Sequence, residues 1–279
     1  MKVTPDCFQC LQRSIYWAAD LATTDEHVKA KAIREGLKTL EESFSPDKVS
    51  VNIAAEVHRV IREVTQNTDP YLEIKKKEFA VTRALYPEIG SEYSNDFIDC
   101  LKLAAKGNAM DFFRPLETIE KDMKRPVKFA IDDSEQFLAK LKNSSKVLYL
   151  ADNTAEVLFD LPLVTLMSQS TKVVYVVKGS PVLNDITSED LRRMGVEDRF
   201  TRVITTGTAT TGIDFSSASA EFMDEFESAD LVFAKGGANY QSLSELPGKG
   251  RFFHCLLVKC EPMANSLKVP VNSYLALLW

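Results

Sequence analysis

Val147-Leu148-Tyr149-Leu150-Ala151-Asp152-Asn153-Thr154-Ala155-Glu156-Val157-Leu158-Phe159-Asp160 decides the fold. An apolar run stops at Asp152-Asn153, and a helix-like pattern with two more acids follows. A buried strand, a polar switch and a helix are how open α/β sheets build sites at strand ends. Four further apolar, β-branched runs follow: Val173–Val177, Arg202–Thr205, Leu231–Ala234 and Phe252–Val258. The first four of the five start roughly 26 to 30 residues apart, the size of a βα unit. Helical patterns fill the first gaps at Ala155–Leu166, Glu189–Met194 and Ala218–Phe226. Continuous rather than alternating apolar strands imply burial on both faces, as in a parallel sheet.

The first part of the chain has a different rhythm. Cys7 to Leu21 reads as a helix, and Ala30, Ile33, Leu37, Leu40 and Phe44 recur at helical spacing. Ser45-Pro46 breaks that run, with Pro46 suited to the first turn of the next helix. Val49 to Val64 repeats the pattern, Asp69-Pro70 opens a segment that Pro87 ends, and Phe97 to Ala105 gives a helix before Gly107. Between Arg114 and Pro126 the pattern becomes irregular, with Pro115 and Pro126 bracketing a charged segment. Ser134 is placed to cap a short helix through Leu141. The expected architecture is α/β, with a helical domain over residues 1–125. A Rossmann-like, mostly parallel sheet flanked by helices spans 126–279.

Bulk properties narrow the class. A chain of 279 residues buries a sizeable core as one large domain or two smaller ones. Its net charge of −6 gives no electrostatic case for nucleic acid or an anionic membrane. No apolar run reaches membrane-span length, and no signal peptide is evident, so a cytoplasmic location is expected. Five cysteines in a chain of this size point to reduced thiols.

In a parallel sheet, the residues after each strand cluster at one edge. Here they are Asp152-Asn153, Lys178-Gly179 with Asn184-Asp185, Thr205-Thr206-Gly207-Thr208 with Gly212, Lys235-Gly236-Gly237-Ala238-Asn239, and Lys259-Cys260. Carboxylate and amide oxygens suit hard divalent ions. Lysines and glycine-rich backbone amides suit phosphate oxygens. Together they describe a metal-assisted phosphoryl site. Each piece also has a plainer reading. Asn153-x-x-Glu156 is a helix start, with Asn153 as cap. Glu156 and Asp160 share a helix face. Asp185 belongs equally to a turn before a helix begun at Thr187. Lys178 and Lys235 read equally well as surface lysines. Gly107 ends a helix; alternatively Asn108 and Asp111 beyond it reach into an interdomain cleft. Cys7-x-x-Cys10 lies on a helix, without the strand a redox motif needs or the second pair a zinc site needs. No G-x-G-x-x-G, Walker-type Gly-Lys-Ser/Thr or G-x-S-x-G is present. His27, His58 and His254 lack a nucleophile partner and read as structural or exposed.

One ordered set of motifs is more specific than any piece. Asp6-Cys7-x-x-Cys10, Gly107-Asn108-x-x-Asp111, Asp152-Asn153-x-x-Glu156-x-x-x-Asp160, Lys178-Gly179-x-Pro181-x-x-Asn184-Asp185, Lys235-Gly236-x-x-Asn239 and Lys259-Cys260 occur in that order. The set resembles the damage-control phosphatases, long catalogued as Domain of Unknown Function 89, in their stand-alone microbial branch. That resemblance implies a metal-dependent phosphatase with a helical domain on a Rossmann-like domain. Its members hydrolyse small phosphate esters, including sugar phosphates and damaged phosphometabolites. By resemblance the metal falls to Asp152, Asn153 and Asp185, with Lys235 and Asn239 near the substrate phosphate. Asn108, Asp111 and Glu156 then line the same cleft. The family usually has Gly where this chain has Ala155.

The expected mechanism uses Mg²⁺ or Mn²⁺, with Co²⁺ or Ni²⁺ as alternatives, to polarise phosphoryl oxygens and activate water. Lys235, helped by Lys178, neutralises equatorial charge. Aspartyl-phosphate chemistry at Asp152 is the other route. Two rival readings stand beside the phosphatase. One is an S-adenosylmethionine-dependent carboxyl methyltransferase, although the Asp-Asn-Thr-Ala loop is not the glycine-rich turn such a cofactor usually needs. The other is a non-catalytic metal- or metabolite-binding regulator.

Overall fold

A computed structural model describes residues 1–111 and 116–279. Arg114 and Pro115, at the start of the irregular stretch, lie outside the described residues. The helices before the sheet are α1 (Pro5–Ala22), α2 (Glu26–Ser43), α3 (Ser50–Thr65), α4 (Leu72–Gly90), α5 (Phe97–Gly107) and α6 (Leu116–Lys124). Asp25 caps α2 by accepting the amides of His27 and Val28, and Asp96 caps α5 at Asp99. Two proline expectations change. Pro46 lies in a turn, where the Lys48 amide bonds the Ser45 carbonyl, and α3 begins only after Val49. Pro87 sits within the last turn of α4, where only one backbone bond is forfeited.

The α/β part runs β1 (Phe129–Asp132), α7 (Ser134–Leu141), β2 (Lys146–Leu150), α8 (Val157–Met167), β3 (Lys172–Val177) and α9 (Ser188–Met194). It continues with β4 (Val203–Thr205), α10 (Ala220–Ser228), β5 (Leu231–Lys235), α11 (Gly236–Leu243), β6 (Phe252–Leu257), α12 (Glu261–Leu267) and β7 (Tyr274–Leu278). The seven strands lie in the order β1-β7-β6-β5-β2-β3-β4. The five sequence-predicted strands are parallel to one another, with Leu150 beside Val176 on one side and Ala234 on the other. β7 runs antiparallel to β6, and β1 pairs parallel to β7. The expected α/β class with a mostly parallel sheet is therefore observed, extended by an edge of two reversed strands.

Apolar strand faces bury into two layers. Val147, Tyr149, Val173, Tyr175, Phe233 and Phe253 pack on one side with α5, α7 and α8. Leu148, Leu150, Val174, Val176, Val232 and Ala234 pack on the other with Phe222 and Phe226 of α10. Helices α1 to α3 share a separate core built on Ile15, Leu40, Val57 and Ile61. The helices before the sheet thus serve two cores, and α5 belongs to the sheet's. Among the described residues no helix is long and apolar enough to cross a membrane.

Candidate active site

After β2 the chain moves to β3 and β4 on one side, then returns through β5 to the other side of β2. The topological switch point therefore lies between the carboxyl ends of β2 and β5, where open α/β sheets form ligand crevices. Asp152 leaves β2 there, and Lys235 with Gly236 leaves β5. Gly236 has φ +73°, which glycine adopts readily, and starts α11 against the Asp152 carboxylate.

Asp152 sits in a buried polar mesh. Asn108, just past the end of α5, donates from Nδ2 to Asp152 Oδ2 at 2.9 Å and to Glu156 Oε1 at 2.7 Å. Its own Oδ1 accepts the Leu257 amide at 2.9 Å, tying α5 to β6. Asn153 Nδ2 donates to the same two carboxylates, at 3.2 Å and 2.8 Å. Thr154–Glu156 form a single 3₁₀ turn before α8. Asn153 occupies the N-cap position, but its side chain makes no capping bond, contrary to the cap expected from spacing. Its amide group is instead turned toward the two acids, which attract both hydrogens more strongly than neutral acceptors do.

Lys235 is fully buried, with Nζ 2.8 Å from Glu156 Oε2 and 2.7 Å from Asp160 Oδ1. It also donates to the Ala104 carbonyl of α5. Burial alone would lower its pKa, but the Asp160 and Glu156 carboxylates outweigh burial and keep the ammonium charged. Asp160 is pushed up to about 6 by burial and the Glu156 charge, against the pull of Lys235, and accepts from Tyr175 Oη at 3.2 Å.

The loop after β3 returns to the same point. The Asp185 backbone bridges Asn153, and the Ile186 amide donates to the Asp152 carbonyl at 3.0 Å. Asp185 is pushed up to about 7 by burial, moderated by Lys178, whose Nζ lies 3.5 Å from Oδ2. Lys178 also donates to the Gly212 carbonyl at 3.1 Å. Asp152 is held well above the ordinary carboxylate range by burial, then by Glu156 and Asp185. At the rim, Lys259 pairs with Asp111 at 2.8 Å, and both retain partial exposure, 25% and 15%. A cavity of about 110 Å³ reaches Thr154 from the α4 side, while a larger one of about 430 Å³ under Tyr86 and Arg199 touches none of these groups.

The chain and its fold have known counterparts. The profile of the damage-control phosphatase ARMT1-like domain matches residues 3–275, almost the whole chain. The chain belongs to the damage-control phosphatase ARMT1-like family. It is 32% identical to a damage-control phosphatase of Pyrococcus horikoshii, over 97% of this chain and 96% of that protein. It is 33% identical to a damage-control phosphatase of Archaeoglobus fulgidus, over 99% of each. An uncharacterized protein of Methanocaldococcus jannaschii is also 33% identical, over 98% of this chain and 94% of that one. The crystal structure of a DUF89 family protein from Pyrococcus horikoshii superposes with a TM-score of 0.90. It is 31% identical and is covered over 99% of its chain and 100% of this one.

In this family member, the sheet edge brings Asn108, Asp152, Asn153, Glu156, Asp185 and Lys178 into one buried cluster. Two sequence expectations need correction. Lys235 does not face open space for a phosphate, because its ammonium is enclosed by Glu156, Asp160 and Ala104. Asn239 directs Nδ2 inward, to the carbonyls of Ala151 at 3.1 Å and Lys235 at 2.8 Å, so it fastens α11 to β2. Sequence reading also missed the contribution of α4. Glu78 is fully buried and accepts Asn184 Nδ2 with both oxygens, at 3.0 and 3.2 Å. Its signal was faint: Lys75, Glu78 and Thr82 share one helix face, and a polar face normally reads as solvent-exposed.

The charges of the cluster give a test of fit for a metal. Four buried carboxylates, Asp152, Glu156, Asp160 and Asp185, face two buried ammonium groups, Lys178 and Lys235. Fully ionised, the carboxylates exceed the ammonium groups by two negative charges, the complement of one divalent ion, and burial together with that crowding holds Asp152, Asp160 and Asp185 above the usual carboxylate range without it. Asp185 Oδ2 and Asn239 Oδ1 are buried oxygens without a hydrogen-bond donor. Among the described residues, no group of three or more His, Cys, Asp or Glu is poised to hold a metal. An ion here would rest on two carboxylates and an amide oxygen, completed by water or substrate. That is the pattern of Mg²⁺ and Mn²⁺, which keep several exchangeable ligands.

Proposed function

We propose that the chain is a metal-dependent phosphatase of small phosphate esters, sugar phosphates or damaged phosphometabolites. The observation that carries the reading is the excess of buried carboxylates over ammonium groups at the switch point of a damage-control phosphatase fold. By the family resemblance Asp152, Asn153 and Asp185 would hold the ion, and the buried Asn239 Oδ1, which no donor meets, is a second amide oxygen open to it. A divalent metal bound there supplies Lewis-acid polarisation of the phosphoryl group and a more acidic bound water.

The protein's own residues divide the remaining work. Asn108 and Asn153 hold the Asp152 and Glu156 carboxylates in one orientation, with charge-assisted hydrogen bonds of 2.7 to 3.2 Å. Lys235 fixes Glu156 and Asp160 from below, as an electrostatic strut. Phosphate charge falls to Lys178 and to Lys259, the partly exposed lysine at the rim. Substrate enters past the Asp111–Lys259 pair, the most exposed part of the cluster, and Lys259 then exchanges Asp111 for the phosphate.

The test is a panel of phosphorylated metabolites assayed with Mg²⁺, Mn²⁺, Co²⁺ and Ni²⁺, with and without chelator. Turnover that chelator removes and Asp152→Ala abolishes is the expected result. No turnover with any metal, or normal turnover by Asp152→Ala in a folded protein, would overturn the assignment.

A further inference from the structure

Helix α4 carries Lys75 and Glu78 on one face, both buried; Glu78 reaches the loop that presents Asp185, and Lys75 reaches the first turn of α9 just beyond it. Both Glu78 carboxylate oxygens accept from Nδ2 of Asn184, the residue immediately before Asp185. The Asn184 carbonyl in turn accepts the Thr154 amide at 2.8 Å. One turn earlier on α4, Lys75 Nζ lies 3.0 Å from Asp190 Oδ2 and 2.8 Å from Asp69 Oδ2. That Asp190 oxygen accepts the Thr187 amide at 3.1 Å and the Thr187 hydroxyl at 2.6 Å, closing the capping box of α9. The segment Asn184 to Thr187 is therefore gripped at both ends from one helix. Asp185 lies inside that grip, bridged to Asn153.

A buried carboxylate is costly to desolvate, and the cost is offset where its hydrogen bonds are short and fixed. Outer partners that orient ligating groups act on metal affinity, not only on stability. We infer that Glu78 and Lys75 are positioning residues that set Asp185 against Asp152 and Asn153. The helical part of the chain thereby completes the metal site from outside the sheet. This inference rests on the reading of Asp185 as a metal ligand.

The test measures Mn²⁺ binding to the apoprotein by the electron paramagnetic resonance of free Mn²⁺, with no substrate present. Asn184→Asp sets two carboxylates against each other, and Glu78→Gln leaves one neutral acceptor where two charged oxygens stood; each is expected to weaken binding, Asn184→Asp about 10- to 100-fold and Glu78→Gln toward the lower end of that range. The double variant Glu78→Gln/Asn184→Asp restores the pair with donor and acceptor exchanged, and is expected to recover most of the affinity. A merely structural role would move metal-free stability and affinity together. Circular dichroism and urea midpoints without metal report folding, and Glu78→Asp, which keeps the charge but shortens the reach, stands in if Glu78→Gln does not fold. Wild-type affinity in the single variants, or a double variant no better than the weaker single, overturns the inference. Asp185→Asn separates the two levels. If it binds Mn²⁺ like wild type, the metal reading fails and the clamp falls with it. If it loses Mn²⁺ while Glu78→Gln does not, only the clamp fails.

Discussion

Gly236 and Asp152 approach so closely that a methyl group on the Gly236 α-carbon would overlap the carboxylate carbon and Oδ2 of Asp152. The two residues end neighbouring parallel strands, so their contact closes the switch point itself. Gly236 also has φ +73°, a conformation costly for any residue with a Cβ. Gly236→Ala is therefore expected to push Asp152 aside. A misplacement of about 1 Å costs on the order of 100-fold in rate. Steady-state kinetics on whichever phosphate ester proves to be a substrate would reveal it, with Mn²⁺ affinity falling in parallel. An alanine variant with wild-type kcat and metal affinity would show that the contact has no bearing on the site.

The buried histidines make the fold sensitive to acid. Burial pushes His58 and His254 down to about 3, helped by Arg62 at His58 and by the N-terminal ammonium at His254. The unfolded chain takes up these protons near pH 6.5, and the folded chain not until about pH 3. Stability from each histidine is thus complete above pH 6.5 and is lost as pH falls, by about 2 kcal/mol each at pH 5. The raised carboxylates act with the opposite sign over part of this range. The informative quantity is therefore the difference between wild type and His254→Leu. In urea unfolding it is expected to shift by about 1.4 kcal/mol per pH unit below pH 6. A difference independent of pH would refute the buried neutral state.

Much of this organisation was legible in the chain. Asp152, Asn153 and Asp185 stood out because each follows an apolar run, and strand ends of a parallel sheet share an edge. The two reversed strands were not legible. Phe129–Asp132 is only four residues, half of them exposed, and Tyr274–Leu278 follows no βα spacing. Helix α11 was hidden by its Gly-Gly start, since glycine lowers helix propensity. The partners of Lys235 were hidden for a different reason. A lysine beside glycine at a strand end looks exposed until α8 rotates Glu156 and Asp160 onto it, and that rotation is set by tertiary packing. Glu78 escaped because sequence shows the polarity of a helix face but not what covers it.

The Lys235 strut has a measurable energetic signature. Removing one member of a buried ionic network leaves its partners charged and unpaired, typically at a cost of about 3–5 kcal/mol. Lys235→Met strands Glu156 and Asp160 in this way and is expected to lose stability of that order in urea unfolding. Adding Asp160→Asn removes one of the stranded charges. The double variant should therefore be more stable than Lys235→Met alone, a non-additivity that a double-mutant cycle isolates. If the two changes simply add, Lys235 and Asp160 are not coupled as their 2.7 Å separation implies.

Metal binding and folding should be linked through Asp152. The apoprotein folds against the repulsion among Asp152, Glu156 and Asp185, which is why burial and those neighbours raise the Asp152 pKa. A divalent ion that binds only the folded state adds stability of about 2.7 kcal/mol when present at 100 times its Kd. Mg²⁺ or Mn²⁺ is therefore expected to raise the urea midpoint of the wild type, and chelator to reverse the rise. Asp152→Asn keeps the shape of the side chain, removes one charge from the cluster and, on the proposed reading, takes a carboxylate ligand from the ion. It should lose the metal-dependent increment while its apoprotein is no less stable than the wild type. Loss of stability without metal would assign Asp152 to the scaffold. A metal-dependent increment that survives in Asp152→Asn would place the ion somewhere other than the ends of β2 and β5.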